Sequence, residues 1–255
     1  MKVSLLCILL LVCLTLETQA EKEKKHGFIM LHGLASPSDC NFLVTGLRLN
    51  RDEVRVECPV AKCRSHPLVP LSLINSIIST DLDCIESWFN FRLLPAAAVY
   101  SSSPGSDVRE LRAAVRFVEG IIQDMVNNGI PSENIVLSGA SQGGVLVLQE
   151  AVKSKFKLGA FVPIVTWYGN LVSDPPSRYQ PVNKDTPILQ VNGLLDLLFV
   201  PPVPAGRETR KAMEAVFPNY EMVYADYGTH ATTVNDDTLA MMRNFYKKHR
   251  LLSFV

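Results

Sequence analysis

After its first sixteen residues the sequence contains no apolar run long enough to cross a bilayer, so a membrane-spanning body is not expected. It has no charge excess either: 25 Lys and Arg stand against 25 Asp and Glu. A neutral chain lacks the field that steers nucleic acid, so no nucleic-acid partner is expected. There is no Asn-x-Ser/Thr acceptor, internal repeat, low-complexity tract or linker. What it does have is hydrophobic residues at 47%, enough for one sizeable core.

The one long apolar run lies at the start. Lys2, "VSLLCILLLVCLTL" and the small residues Thr18 and Ala20 have the layout of a secretory signal peptide over 1–20. The run is shorter than a membrane anchor requires, and "EKEKK" after it suits an exposed mature start. The expectation is therefore a signal peptide followed by a single domain over 21–255. The localisation expected is the secretory pathway, either secreted or in a lysosome-like compartment. Removal of Cys7 and Cys13 leaves Cys40, Cys58, Cys63 and Cys84, an even set that favours disulfides of open pairing. Cys58, Cys63 and His66 also suggest zinc, but no fourth ligand follows at a familiar spacing, and no metal site is assigned.

Strand-like apolar runs occur at 27–33, 53–59, 134–139, 158–165, 187–193 and 220–226. A short helix fits between the first two. Longer ones are expected over 106–127, 142–153, 206–217 and 236–249, the first capped by Ser106 or Asp107. Strands alternating with helices mean an α/β protein with a mostly parallel sheet flanked on both faces. The stretch 64–105 is the least regular, and within it "FRLLPAAAVY" (91–100) could line an acyl channel or simply be core.

At the centre of the chain, Gly139-Ala-Ser141-Gln-Gly143 fits G-x-S-x-G between a predicted strand and a predicted helix. A serine on so sharp a turn crowds its neighbours, so the residues two before and two after it must lack bulk. Such a serine needs a base, and the base needs an orienting carboxylate. Only His230 and His249 follow it. His249, in "YKKHR", reads as a surface residue, whereas His230 lies in a loop at a strand's C-terminal end. For the acid, Asp196 follows a buried strand directly. Asp226 is a rival, and Asp174 and Asp185 lie in a proline-rich loop. All four fit the chain order Ser, Asp, His, but a carboxylate from the neighbouring strand end can reach across to His230 Nδ1, whereas Asp226 would need a tight local turn, so Asp196 is favoured. The backbone N–H groups of Leu34, after "MLHG", and Gln142 are the expected oxyanion donors. His32 reads as a loop brace. The chemistry calls for no metal or organic cofactor.

On "FIMLHGL", "ESWFNF", "NNGIPSENIVLSGASQGG", "ILQVNGLLD" and "YGTHA", the chain resembles the acyl-protein thioesterase, carboxylesterase and lysophospholipase family of α/β-hydrolases. The resemblance runs from about residue 27 to the last helix. It implies the α/β-hydrolase fold, a Ser141, Asp196, His230 triad, and oxyanion donors at Leu34 and Gln142. The implied substrate is an acyl ester or thioester, in an S-acylated protein or a lysolipid, with at most peripheral membrane contact. Departures are Ala140 where the family has Phe, Asn192 for His, Leu197 for Pro, and "HGLAS" for "HGLGD". None removes a triad member; they bear on substrate preference. Two alternatives stand beside this expectation, a general short-chain carboxylesterase and a secreted binding protein that reuses the fold.

Overall fold

Each apolar run identified in the sequence becomes a strand of one sheet. The computed structural model describes residues 24–34, 40–64, 85–90, 107–171, 173–196 and 204–255. Strands β1 (His26–Leu31), β2 (Val54–Glu57), β5 (Ile135–Ala140), β6 (Ala160–Ile164), β7 (Ile188–Gly193) and β8 (Tyr220–Ala225) form a six-stranded sheet in the order β2-β1-β5-β6-β7-β8. Every pairing is parallel. A parallel sheet is covered on both faces, which is why its central strands read as continuous apolar runs and not as alternating ones.

The two-residue period sorts those runs into two cores. Ile29, Leu31, Ile135, Leu137, Phe161 and Ile188 face one side, with the helices α2 (Val108–Asn127), α3 (Gln142–Lys153) and α4 (Pro204–Glu214). Phe28, Val136, Val162, Ile164, Leu189 and Val191 face the other, with α1 (Asn41–Leu47) and α5 (Asp236–Lys248). Helix boundaries follow side-chain chemistry. The Asp107 carboxylate accepts from the N–H groups of Arg109 and Glu110 at the start of α2. Asn235 and Thr238 form a capping box at the start of α5.

Two features escaped the sequence pattern. Cys63–Arg64 (β3) pairs antiparallel with Ile85–Glu86 (β4) inside the stretch read as irregular. Two residues on each side are too short to show a period. The second is the cysteine pairing that spacing left open: Cys40 is bonded to Cys58, with Cα atoms 6.0 Å apart, tying the entry of α1 to the end of β2. Cys63 is disulfide-bonded as well, so neither Cys58 nor Cys63 offers the thiolate that a zinc site would need. The segment 1–20, His66, Cys84, the run 91–100 and Leu197 lie outside the described residues. None of the described helices is long and apolar enough to cross a membrane.

Candidate active site

β5 runs through the middle of the sheet and stops at Ser141, which sits at φ 51° and ψ −115° immediately before α3. A non-glycine residue with positive φ is costly, and it persists only where its surroundings fix it. Three backbone-centred bonds do so here. Ser141 N–H donates to Ile164 O at 2.8 Å, and Ser141 O accepts from Val145 N–H and from Thr166 Oγ1–H at 2.7 Å. The flanking glycines have a steric reason. A Cβ on Gly139 would stand 2.7 Å from the Gly143 backbone, and one on Gly143 would collide with the carbonyl of Leu31. The elbow thus packs directly against the end of β1, where the Leu34 loop begins.

His230 Nε2 lies 2.9 Å from Ser141 Oγ, and His230 Nδ1 lies 2.8 Å from Asp196 Oδ2. In the tautomer this geometry selects, Nδ1–H donates to the carboxylate and Nε2 accepts from the serine hydroxyl. Asp196 is 1% exposed, so little water competes for it. The last turns of β7 and β8 create this meeting. Leu194 N–H donates to Ala225 O, and Leu195 N–H donates to Gly228 O at 2.9 Å. Gly193 permits the approach, since a Cβ there would collide with Gly228 O and Thr233 Oγ1. The structure therefore brings together Ser141, Asp196 and His230. The rivals stay apart from them: Asp226 and Asp185 are exposed, and Asp174 is held by Lys153 and the Tyr179 hydroxyl. His249 packs its ring 4.9 Å from Phe245 at the end of α5.

Around the serine, Gly33 is buried, and a Cβ placed on it would lie 3.9 Å from Ser141 Oγ. The Leu34 peptide follows directly. The N–H of Gln142 is the first of α3, where no intrahelical acceptor exists and the helix dipole favours negative charge. His32 braces this loop. Its Nδ1–H donates to Gly33 O at 2.6 Å and its Nε2 accepts from Ala61 N–H at 2.9 Å. Burial lowers its pKa, in keeping with a neutral ring that both donates and accepts.

The side chain of Gln142 does work that the sequence did not announce. It is 1% exposed and pins the Ser87–Phe89 turn: Nε2–H donates to Phe89 O and Ser87 Oγ, and Oε1 accepts from Trp88 N–H at 2.8 Å. Trp88 Nε1–H in turn donates to His32 O at 2.8 Å. Ser87–Phe89 is thus the wall against which both expected oxyanion segments rest; its one sequence signal was the resemblance. Asn192 occupies its departure site as a buried acceptor, receiving Thr166 N–H at 3.2 Å. Leu194 and Leu195 are about half exposed, and Tyr227 is 86% exposed, giving the His230 and Asp196 loops an apolar rim.

Residues 85–250 match the family model described as Phospholipase/Carboxylesterase. An acyl-protein thioesterase 1 homolog 2 of Dictyostelium discoideum is 40% identical over 95 residues, 36% of this chain and 42% of that protein. Acyl-protein thioesterase 1 of Kluyveromyces lactis is 30% identical over 132 residues, 51% of this chain and 57% of that one. The chain thus aligns with about half the length of these relatives. Among solved structures, Arabidopsis thaliana SOBER1 superposes with a TM-score of 0.71 at 21% identity, covering 88% of this chain and 99% of that one. Zea mays acyl-protein thioesterase 2 gives 0.62 at 16%, covering 89% and 94%. At such identities the structural likeness speaks for the fold.

Proposed function

The chain belongs to the Phospholipase/Carboxylesterase family of α/β-hydrolases, and from that premise we propose that it is a serine hydrolase cleaving acyl esters or thioesters. The observation that carries this reading is the unbroken relay from Ser141 Oγ through His230 to Asp196, at 2.9 Å and 2.8 Å, on a serine held at positive φ.

Ser141 Oγ attacks the acyl carbonyl while His230 Nε2 takes its proton. The buried Asp196 carboxylate holds the imidazole in the working tautomer and stabilises the imidazolium. The N–H groups of Leu34 and Gln142 receive the oxyanion; one such donor is typically worth about 2.7–4 kcal/mol of barrier. His230 then protonates the departing alcohol or thiol, and water repeats the cycle on the acyl-enzyme. The apolar rim of Leu194, Leu195 and Tyr227 supports a long acyl chain, and relatives named acyl-protein thioesterases support an acyl thioester. The substrate class proposed is a long-chain acyl thioester or lysolipid ester. The Cys40–Cys58 bridge and the leader-like segment 1–20 support action in an oxidising compartment of the secretory pathway.

Ser141→Ala is expected to abolish p-nitrophenyl ester hydrolysis with an unchanged thermal unfolding curve, and a fluorophosphonate should label wild type at Ser141. Activity retained by the variant would end the proposal. An acyl-chain profile on the purified protein separates a long-chain thioesterase from a short-chain carboxylesterase.

A further inference from the structure

Phe117 is out of place on α2. The buried stripe of that helix runs through Leu111, Ala114, Val118, Ile122 and Met125, yet Phe117 stands off it and is 49% exposed. Its ring centroid lies 6.1 Å from that of Trp88. Between the two rings and Val60, itself 49% exposed, is an open cavity of about 330 Å³. That is the lower end of the size range of small-ligand sites. The cavity is apolar at the floor and cationic at the rim. Arg64 is fixed in its wall by Glu110 at 2.7 Å and by the carbonyls of Ser87 and Trp88. Lys62 and Arg116 line it, are exposed, and make no ion pair with a described residue. Among the described residues no acidic side chain lines it.

We infer that this cavity is a second, non-catalytic site, and that it binds a small anionic amphiphile. The chain of such a molecule covers Phe117, Val60 and the Trp88 floor, while a carboxylate or phosphate head meets Lys62 and Arg116. Apolar surface left open beside unpaired cations matches that chemistry and disfavours a neutral or cationic ligand. The floor also connects the site to the triad. Ala61 donates to His32 Nε2, Trp88 Nε1–H donates to His32 O, and Trp88 N–H donates to Gln142 Oε1. A ligand pressing on Trp88 and Ala61 therefore bears on both segments expected to hold the oxyanion. Binding stands independently of the proposed hydrolase activity; its effect on rate rests on that reading.

Calorimetric titration with decanoate and with decyl phosphate, each below its micelle-forming concentration, tests the site on wild type and on Ser141→Ala. Both proteins are expected to bind one or both anions and to reject decyltrimethylammonium. The tighter of the two anions tells a free acid from a phosphate-ester headgroup. Lys62→Glu with Arg116→Glu should weaken binding by at least about tenfold, and Phe117→Asp should do the same through the floor. In the absence of amphiphile, the charge-reversed variant should hydrolyse p-nitrophenyl acetate as wild type does. Amphiphile should change the wild-type rate without competing with that ester. Equal binding of the ammonium amphiphile, unchanged affinity in both variants, or loss of binding once Ser141 carries a fluorophosphonate would overturn the site. A protein that binds decanoate but hydrolyses no ester would leave the site standing and sink the hydrolase reading alone.

Discussion

Asp196 and Asp226 lie 34 and 4 residues from His230 in the chain, yet it is the distant carboxylate that reaches the imidazole. The reason is direction. Asp196 leaves the end of β7 and points across to the neighbouring loop, whereas Asp226 sits in the turn leaving β8 and faces solvent. Asp196→Asn is expected to preserve the fold and lower kcat by about 10⁴-fold, because the amide stabilises the wrong tautomer of His230. Asp226→Asn should leave kcat unchanged, and steady-state kinetics on the pair decide between the two acids. The sequence favoured Asp196 because it directly follows a neighbouring buried strand; its 1% exposure is visible only once β7 and β8 are paired. His32 shows the same limit. Its position before the serine suggested a brace, but its two partners, Gly33 O and Ala61 N–H, come from segments 1 and 29 residues away.

Helix α3 has two tasks. Its first turn presents the Gln142 N–H to the site, and its body is buried from Gln142 to Val152. The Gln142 side chain spends its polarity on the Ser87–Phe89 turn, so Gln142→Leu takes the acceptor from Trp88 N–H and removes one of the donors to Phe89 O, which keeps Ser87 Oγ–H. Each buried group left unpaired costs about 1–3 kcal/mol, a loss that urea unfolding should register. Because the backbone N–H survives, kcat should fall more than KM moves. Farther along α3, Glu150 is fully buried, and among the described residues neither carboxylate oxygen has a well-formed hydrogen bond. Burial first, then the Glu119 charge, hold its pKa well above the usual carboxylate range, with only a partial offset from Ser154. Between the ordinary value of 4.5 and that raised value, the folded state keeps a proton that the unfolded chain has lost. Stability from this group is complete below pH 4.5 and declines as pH rises through the window. Glu150→Gln should therefore raise the melting temperature more at pH 8 than at pH 4.5, as read by calorimetry at both. An equal shift at both values would show that ionisation of Glu150 is not the cause.

For the molecule as a whole, the Cys40–Cys58 bridge closes a loop with a sequence separation of 18 and ties the start of α1 to the end of β2, with Cys40 buried in the core on that face of the sheet. Replacing both cysteines by serine is expected to cost about 3 kcal/mol by the loop-entropy estimate. A urea midpoint lower in the double variant than in oxidised wild type checks it. The sheet that the bridge supports was legible from the chain, because strands covered on both faces must be apolar throughout and the helices between them must show one apolar stripe. The β3–β4 pair was not, being too short to carry a period. Nor was Phe117 as part of a cavity, since an apolar residue on a helix's outer face gains meaning only from what stands across from it.

The sequence by itself determined the parallel α/β order, the serine elbow with its flanking glycines, and the two side chains that could serve it, because each is a local matter of period, steric room or chain order. The tertiary structure alone decided how deeply the Asp196 carboxylate is buried beside His230, why Gln142 must be a glutamine, which cysteines join, and where Lys62, Arg116 and Phe117 converge. Those are distances between residues tens of positions apart, and they exist only after the strands have packed.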